Sequence, residues 1–323
     1  MGIYHNSGTS GTGPGFEPDD VAGRNGDENM ECAKPASSCE TCGDSSCSAK
    51  TPADKQRLEQ QQAEQNLQQR LGHIRHKIVV MSGKGGVGKS SVAVNLALAL
   101  AMQDKAVGLL DVDIHGPSVP KMLGVEEEVP YPGEEGMTPV SALGVKVMSL
   151  GFLLENPGDA VIWRGAMKHG VIRQFVGEVA WGPLDYLVVD CPPGTGDEPL
   201  SVAQTLGSGT KAVIVTTPQD VAISDVRKSI SFCRQLNIPM LGIVENMSGF
   251  VCPGCGQEHH IFKEGGGASL AAEAGVPFLG AIPLDPTLAV AGDAGKPCLV
   301  SAPEGAVAQA FQAITRKVLD QED

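Results

Sequence analysis

Aromatic residues are scarce in this 323-residue chain: Phe, Trp and Tyr together make up 4%. The apolar 41% is built mainly from Ala, Val and Leu, which points to an α/β enzyme rather than a β-sandwich. No apolar run approaches the roughly 18 residues that a membrane span needs. Positive charge is also short, since 24 Lys and Arg against 38 Asp and Glu leave a formal net charge of −14. A general nucleic-acid binder needs cations to displace counterions from phosphates, so no nucleic-acid partner is expected, although a local basic pocket is compatible with the total. The N-terminus lacks a basic-then-apolar signal segment, and Asn6 stands where myristoylation after Met1-Gly2 needs Ser or Thr. A cytoplasmic protein with no membrane partner is expected. Residues 1–50 contain no Leu and only one each of Ile, Val, Phe and Tyr. Such a segment buries too little apolar area to offset its ordering entropy, so it reads as a disordered tail unless a metal organises it.

What is abundant is glycine, at 41 residues, and cysteine, at nine. An odd cysteine count without a signal segment argues against a disulfide framework and for metal or cofactor ligation. Cys32, Cys39, Cys42 and Cys47 cluster in the tail, where exposed idle thiols would be oxidation liabilities. Four soft ligands there could hold zinc or a [4Fe–4S] cluster, and spacing does not choose between them. Cys252-Pro253-Gly254-Cys255-Gly256 is a tight knuckle that aims two thiolates at one point. Zinc and iron–sulfur clusters usually take four ligands, so the knuckle is half a site. The missing pair could come from the tail, from His259 or His260, or from a second copy of the chain, and the two histidines read more simply as loop residues. A two-fold homodimer would face identical pairs across its axis. Cys191, Cys233 and Cys298 read as packing residues.

Apolar strands are expected at Lys77–Ser82, Ala106–Asp111, Val145–Leu150, Tyr186–Asp190, Ala212–Thr217, Met240–Glu245 and Phe278–Pro283. Helical patterns separate most of them, notably Ser90–Met102, Asp225–Leu236 and Ala306–Leu319. This alternation predicts an α/β fold with a mostly parallel, doubly wound sheet, whose ligands bind at the carboxyl ends of the strands. The expected organisation is a cysteine-containing tail (1–50), a linker helix (51–75) and a P-loop domain (76–323) carrying the knuckle as an insertion.

Gly83-Lys84-Gly85-Gly86-Val87-Gly88-Lys89-Ser90 fits G-x-x-x-x-G-K-[ST] directly after a strand and at the start of a helix. Glycines let consecutive N–H groups turn inward around a phosphate, assisted by the helix N-terminus. Lys89 can then reach the β/γ-phosphates and Ser90 can ligate Mg²⁺. With Ser91, the run Gly83–Ser91 is the candidate ATP-binding set. Asp111-Val112-Asp113 and Asp190 end strands beside this loop. A carboxylate there can hold Mg²⁺ through water or orient the attacking water. Asn246 follows the strand Met240–Glu245.

Lys84 within Lys-Gly-Gly-Val-Gly-Lys-Ser resembles the deviant P-loop of the MinD/ParA/nitrogenase-iron-protein class. The resemblance implies that Lys84 crosses to the partner's nucleotide in an ATP-bound dimer. It also implies that Asp113 lies in the first switch near the attacking water, that Asp190 takes the Walker B role, that the loop through Asp197 is the second switch, and that Asn246 reads adenine. Further motifs narrow the match over roughly residues 76–320: Asp111-Val112-Asp113-Ile114-His115-Gly116-Pro117-Ser118, Trp163-Arg164-Gly165, Asp190–Asp197 and Glu245–Cys255. Together these are similar to the Mrp-type iron–sulfur cluster carrier ATPases. That family implies a homodimer, or a heterodimer with a related subunit, whose Cys252 and Cys255 pairs bridge a labile [4Fe–4S] cluster. ATP binding and slow hydrolysis would load or release the cluster for apo iron–sulfur client proteins. The tail resembles the N-terminal cluster motif of the eukaryotic cytosolic scaffold branch, but its first spacing is shorter. Two other readings share the nucleotide fold: a MinD/ParA-type positioning ATPase, and a reductase like the nitrogenase iron protein.

Overall fold

A computed structural model describes residues 52–113, 116–153, 165–252 and 254–322. The tail cysteines Cys32, Cys39, Cys42 and Cys47, and the motif residues Ile114, His115, Trp163 and Arg164, lie outside the described residues. In chain order the elements are α1 (Pro52–Gly72), β1 (Ile74–Ser82), α2 (Lys89–Ala101), β2 (Val107–Asp111), α3 (Val119–Leu123), β3 (Tyr131–Gly133), β4 (Gly136–Thr138), β5 (Val140–Ala142) and β6 (Val145–Ser149). They continue with α4 (Gly165–Gly177), β7 (Leu184–Asp190), α5 (Asp197–Leu206), β8 (Thr210–Thr216), α6 (Asp220–Gln235), β9 (Met240–Glu245), β10 (Phe250–Val251) and β11 (Glu258–His259). The last are α7 (Gly266–Ala274), β12 (Phe278–Ala281), α8 (Pro286–Asp293), α9 (Cys298–Ser301) and α10 (Ala306–Leu319). Two compact units divide the chain, Met1–Glu59 and Gln60–Asp323.

The main sheet has eight strands in the order β12-β9-β8-β1-β7-β2-β6-β5. All neighbours pair in parallel except β5 and β6, which form an antiparallel edge hairpin. The doubly wound expectation is met. The chain winds outward from β1 to β2 and later crosses back to β8, so the direction of winding reverses around β1. That reversal opens a crevice at the carboxyl ends of β1 and β7, where the phosphate loop and Asp190 sit.

Both faces of the sheet are covered, which is why its strands are continuous apolar runs rather than alternating ones. In β1, Ile78 and Val80 pack into one core layer with α2 and α10, while Val79 and Met81 pack into the other. Tyr186 and Val188 of β7 join the first layer, and Leu187 and Val189 the second. Every residue of α2 from Val92 to Leu100 is buried, as expected of a helix that is apolar all round. In α1, by contrast, the buried residues are Leu67 and Leu71, a thin stripe on a polar helix. Arg70 fixes its end by donating to the Val179 carbonyl at 2.6 Å and to the Glu135 carbonyl. No helix among the described residues is long and apolar enough to cross a membrane.

Candidate nucleotide site and cysteine hairpin

The phosphate loop is braced from two neighbouring elements. The Ser82 hydroxyl at the end of β1 donates to the Lys84 carbonyl at 3.0 Å. The Ser82 carbonyl accepts from the Gly194 N–H, in the loop after β7, at 2.8 Å. Two loop glycines are required for different reasons. A Cβ at Gly83 would lie 2.4 Å from the Asp225 carbonyl carbon, so only glycine lets α6 approach this closely. Gly88 has φ +81 and a Cβ there would lie 2.1 Å from Asn246 Nδ2. At Gly85 and Gly86 a Cβ would meet nothing within 4 Å, so the crown of the loop borders open space.

That space is a cavity of about 200 Å³. Lys84, Lys89, Ser90, Ser91 and Asp113 line it together with Gly85, Gly86 and Gly88. Lys89 is buried and is the hub of the charge cluster. Its Nζ lies 2.5 Å from Asp190 Oδ1 and 3.4 Å from Asp113 Oδ2. Burial alone would lower its pKa, but the charges of Asp190, Asp113 and Asp111 outweigh burial and hold it above its ordinary value. Burial pushes the Asp190 carboxyl upward against the opposing pull of Lys89. Asp190 Oδ2 is buried and has no hydrogen-bond partner among the described residues. Lys84 is half-buried at the cavity wall, and its side chain makes no hydrogen bond or ion pair with the described residues.

The fold separates the two aspartates after β2. Asp113 faces Lys89, whereas Asp111 is fully buried and its oxygens are occupied by its own surroundings. Asp111 Oδ1 accepts from the Asp113 N–H at 3.1 Å, and Oδ2 accepts from the Ser149 hydroxyl at 2.9 Å and the Val119 N–H at 3.4 Å. Register explains this: Asp111 pairs with Ser149 on one side and Asp190 on the other. Asp111 therefore orients the Asp113 loop. Burial, and next the charge of Asp190, push its pKa up to about 7.

Asn246 is buried beneath the loop rather than along the cavity wall, and its Nδ2 donates to the Val87 carbonyl at 2.9 Å. Asp197 opens α5 after the Cys191–Gly196 loop. Ser118, Met122 and Pro193 also line the cavity. Ser118 and Pro193 lie inside the aspartate motifs, which was the available signal, while Met122 has none.

Beyond Asn246 the chain forms the β10–β11 hairpin that carries the knuckle. Phe250 pairs with His259 and Val251 with Glu258, and the Cys252 N–H donates to the Gln257 carbonyl at 2.9 Å. The Gly256 N–H returns to the Cys252 carbonyl at 2.8 Å, closing the turn. Cys252 is half-buried and Cys255 is exposed. The backbone N–H groups of Cys255 and Gly254, with the Cys255 thiol, hold Cys252 below the ordinary thiol pKa. Two sulfurs thus share one open turn whose amides favour the thiolate, the ligating form. His259 lies in β11, and His260 pairs with Glu264 at 3.0 Å on the surface. Cys191, Cys233 and Cys298 are buried, and burial pushes Cys233 and Cys298 up to about 11.

A family model described as ParA, the NUBPL iron-transfer P-loop NTPases, matches residues 73–319. The chain belongs to this family. Among its relatives is the iron-sulfur cluster carrier protein of Methanocaldococcus jannaschii, 48% identical over 284 residues, covering 87% of this chain and 95% of that protein. The cytosolic Fe-S cluster assembly factor NUBP2 of Bos taurus is 47% identical over 256 residues, covering 78% and 94%. A solved nucleotide-binding protein from Archaeoglobus fulgidus, in complex with ADP and with cobalt found in it, is 42% identical with a TM-score of 0.67. That match covers 77% of this chain and 96% of the other. The septum site-determining protein MinD of Pyrococcus horikoshii shares the fold, with 24% identity and a TM-score of 0.57 over 75% of this chain and 95% of its own. The matched residues take in both the charged crevice and the cysteine hairpin described above.

Proposed function

We propose that this protein is a nucleotide-dependent iron–sulfur carrier, which holds a [4Fe–4S] cluster as cargo on Cys252 and Cys255 and passes it to apo-proteins. One observation carries the reading: β9 runs from the sheet past Asn246, which holds the phosphate loop, straight into an exposed hairpin whose Cys252 and Cys255 thiols share one turn. Two thiolates cannot complete a four-ligand cluster, so a second copy or a related subunit supplies the other pair across a two-fold axis. The relatives' roles as cluster carrier and cytosolic assembly factor support this cargo and a cytoplasmic setting.

ATP enters the cavity with its phosphates on the Gly85–Gly88 backbone. Lys89 then shifts part of its pairing from Asp190 to the β/γ-phosphates, a charge-for-charge exchange. Mg²⁺ fits beside Ser90 and the unpartnered Oδ2 of Asp190, where it would neutralise phosphate charge. Asp113 orients the attacking water, held in place by Asp111. Lys84, without a partner among the described residues of its own chain, reaches the nucleotide of the second copy. Slow hydrolysis is coupled to cluster release. Residues 1–50 form a separate cluster-binding tail through Cys32, Cys39, Cys42 and Cys47, 51–75 a linker helix, and 76–323 the ATPase domain.

The test is anaerobic reconstitution of the full chain with iron and sulfide, followed by Mössbauer spectroscopy, iron counting and sedimentation. Residues 1–50 are then deleted. The deleted protein is expected to keep one [4Fe–4S] per two chains and to sediment as a dimer only when loaded. A monomer that holds a full cluster, or stoichiometric zinc at Cys252 and Cys255, would overturn the bridging site.

A further inference from the structure

Glu245 is a buried acid that the phosphate chemistry does not use. It ends β9 and is fully buried, yet its carboxylate is saturated with donors. Oε1 accepts from the Ser248 hydroxyl at 2.6 Å and from the Gly265 N–H at 2.9 Å, and Oε2 accepts from the Gly267 N–H at 2.5 Å. These donors come from two limbs of one excursion. Ser248 lies on the outgoing limb, just before the cysteine hairpin. Gly265 and Gly267 lie on the returning limb, at the start of α7. A single side chain therefore clasps both ends of the segment that carries Cys252 and Cys255.

The chemistry of the seat selects a carboxylate. All three groups donate, and two of them are the N-cap and first-turn amides at the positive end of α7. A glutamine would keep one acceptor oxygen and turn an NH₂ group toward donors. The seat is also tight: a Cβ on Gly267 would lie 3.1 Å from Glu245 Oε2, so a side chain at that position would crowd the carboxylate. On the other side, the next residue is Asn246, whose Nδ2 donates to the Val87 carbonyl in the phosphate loop. Phosphate loop, Asn246, Glu245 and hairpin thus form one contiguous chain of contacts. Two further bonds fasten the outgoing limb to the segment just past β12 independently of the clasp, Ser248 N–H to Ile282 carbonyl at 2.9 Å and Leu284 N–H to Gly249 carbonyl at 2.8 Å.

We infer that Glu245 is a positioning residue through which occupancy of the phosphate loop sets the geometry of the Cys252–Cys255 pair. A shift of the Val87 peptide on phosphate binding moves Asn246 and, with it, the end of β9. With the clasp intact, the excursion follows as one body. Without it, the returning limb is released and the hairpin no longer reports the state of the loop. The meaning of this linkage for cargo rests on the function proposed above, but the linkage itself is measurable without cargo.

The experiment measures alkylation of Cys252 and Cys255 by iodoacetamide in the full-length, reduced, cluster-free protein, with and without MgADP, resolved by peptide mass spectrometry. In the unmodified protein MgADP is expected to change the rate by about fivefold or more, the lower range of coupling between linked sites. Glu245→Gln is expected to bind MgADP with unchanged affinity, yet to show less than about a twofold response. Ser248→Ala severs the outgoing arm alone and is expected to fall between the two, and it decides the matter if Glu245→Gln fails to fold. An equal response in the unmodified protein and both variants, or no response in the unmodified protein, would overturn the inference. Anaerobic reconstitution of the unmodified chain runs alongside. Failure to hold iron on Cys252 and Cys255 would overturn the cargo reading while leaving the alkylation result to stand or fall on its own.

Discussion

The phosphate end of the sheet and the cysteine hairpin are joined by β9 but built on opposite terms. At the phosphate end, Lys89, Asp190 and Asp113 have side chains no more than 13% exposed, and each is fixed by strand register or by another charge. At the hairpin, Cys255 is exposed, and the groups that stabilise the thiolate of Cys252 belong to the same turn. The first site is preorganised by long-range packing. The second is preorganised within its own turn, on an excursion tied to the sheet at its base. Under the proposed function, two ligands per chain on an open turn suit a site that must release its cargo.

That contrast is most sharply tested at the two loop lysines. Lys89→Ala is expected to weaken nucleotide binding by about 30-fold or more, because truncating one partner of a buried charge pair costs about 2–5 kcal/mol and removes the phosphate contact as well. Lys84→Ala is expected to keep binding within a few-fold and lose hydrolysis. Isothermal titration with ATP analogues and a phosphate-release assay separate the two, and equal loss of binding in both variants would defeat the trans role of Lys84. At the hairpin the expected pattern is reversed. Cys252→Ala or Cys255→Ala should remove the bridging-cluster iron, leaving tail iron in place, while shifting stability by less than about 0.5 kcal/mol, as for surface positions outside the core. A large drop in the urea midpoint would mean that the hairpin is part of the cooperative core after all.

Gly83→Ala is expected to destabilise the fold by about 1–3 kcal/mol, since the new methyl drives into the α6 backbone. Urea denaturation measures it, and a neutral result would show that α6 can yield. A further effect concerns pH. Asp111 is raised from 3.8 to about 7 in the folded chain, so folding takes up a proton there as pH rises above about 4. Its stabilising contribution is full below about pH 4 and is lost as pH climbs toward about 7. Asp111→Asn cannot titrate, so its stability profile should lack that downward slope while an amide oxygen still accepts from the Asp113 N–H. An unchanged slope in urea midpoints measured from pH 4 to 7 would assign the titration elsewhere.

Much of this arrangement was legible in the sequence because its signals are contiguous. The phosphate motif fits directly between β1 and α2, the bounds of β9 match the expected strand residue for residue, and α10 falls where a helix near Ala306–Leu319 is expected. The structure starts α6 at Asp220, five residues before the Asp225 expected from the helical pattern. The β3–β4 hairpin was missed altogether, since its strands are three residues long and lack a buried alternating face. The same limit governed the site. Asp190 and Asp113 could be found at strand ends, but the role of Asp111 depends on Ser149, thirty-eight residues away and adjacent only through the sheet. Asn246 is expected from the resemblance to read adenine, and nothing in the sequence indicates that its Nδ2 also donates to the Val87 carbonyl of the phosphate loop. Nothing local to Glu245 reveals that it holds Gly265 and Gly267, because that relation exists only after the excursion has closed.

The position of β1 at the centre of the sheet has a consequence during synthesis. Ile74 pairs with Leu184 and Lys77 with Thr210, so both neighbours of the central strand are encoded more than 100 residues downstream. At about 5–20 residues per second, β1 spends roughly 5–20 seconds or more outside the ribosome before β7 is available. Throughout that interval an apolar strand has two open edges, the condition under which nascent chains associate with one another. The strand that leads into the phosphate loop is therefore also the segment on which a chaperone would act first, and slowing translation between residues 82 and 184 should lower the yield of folded protein more than slowing it anywhere later.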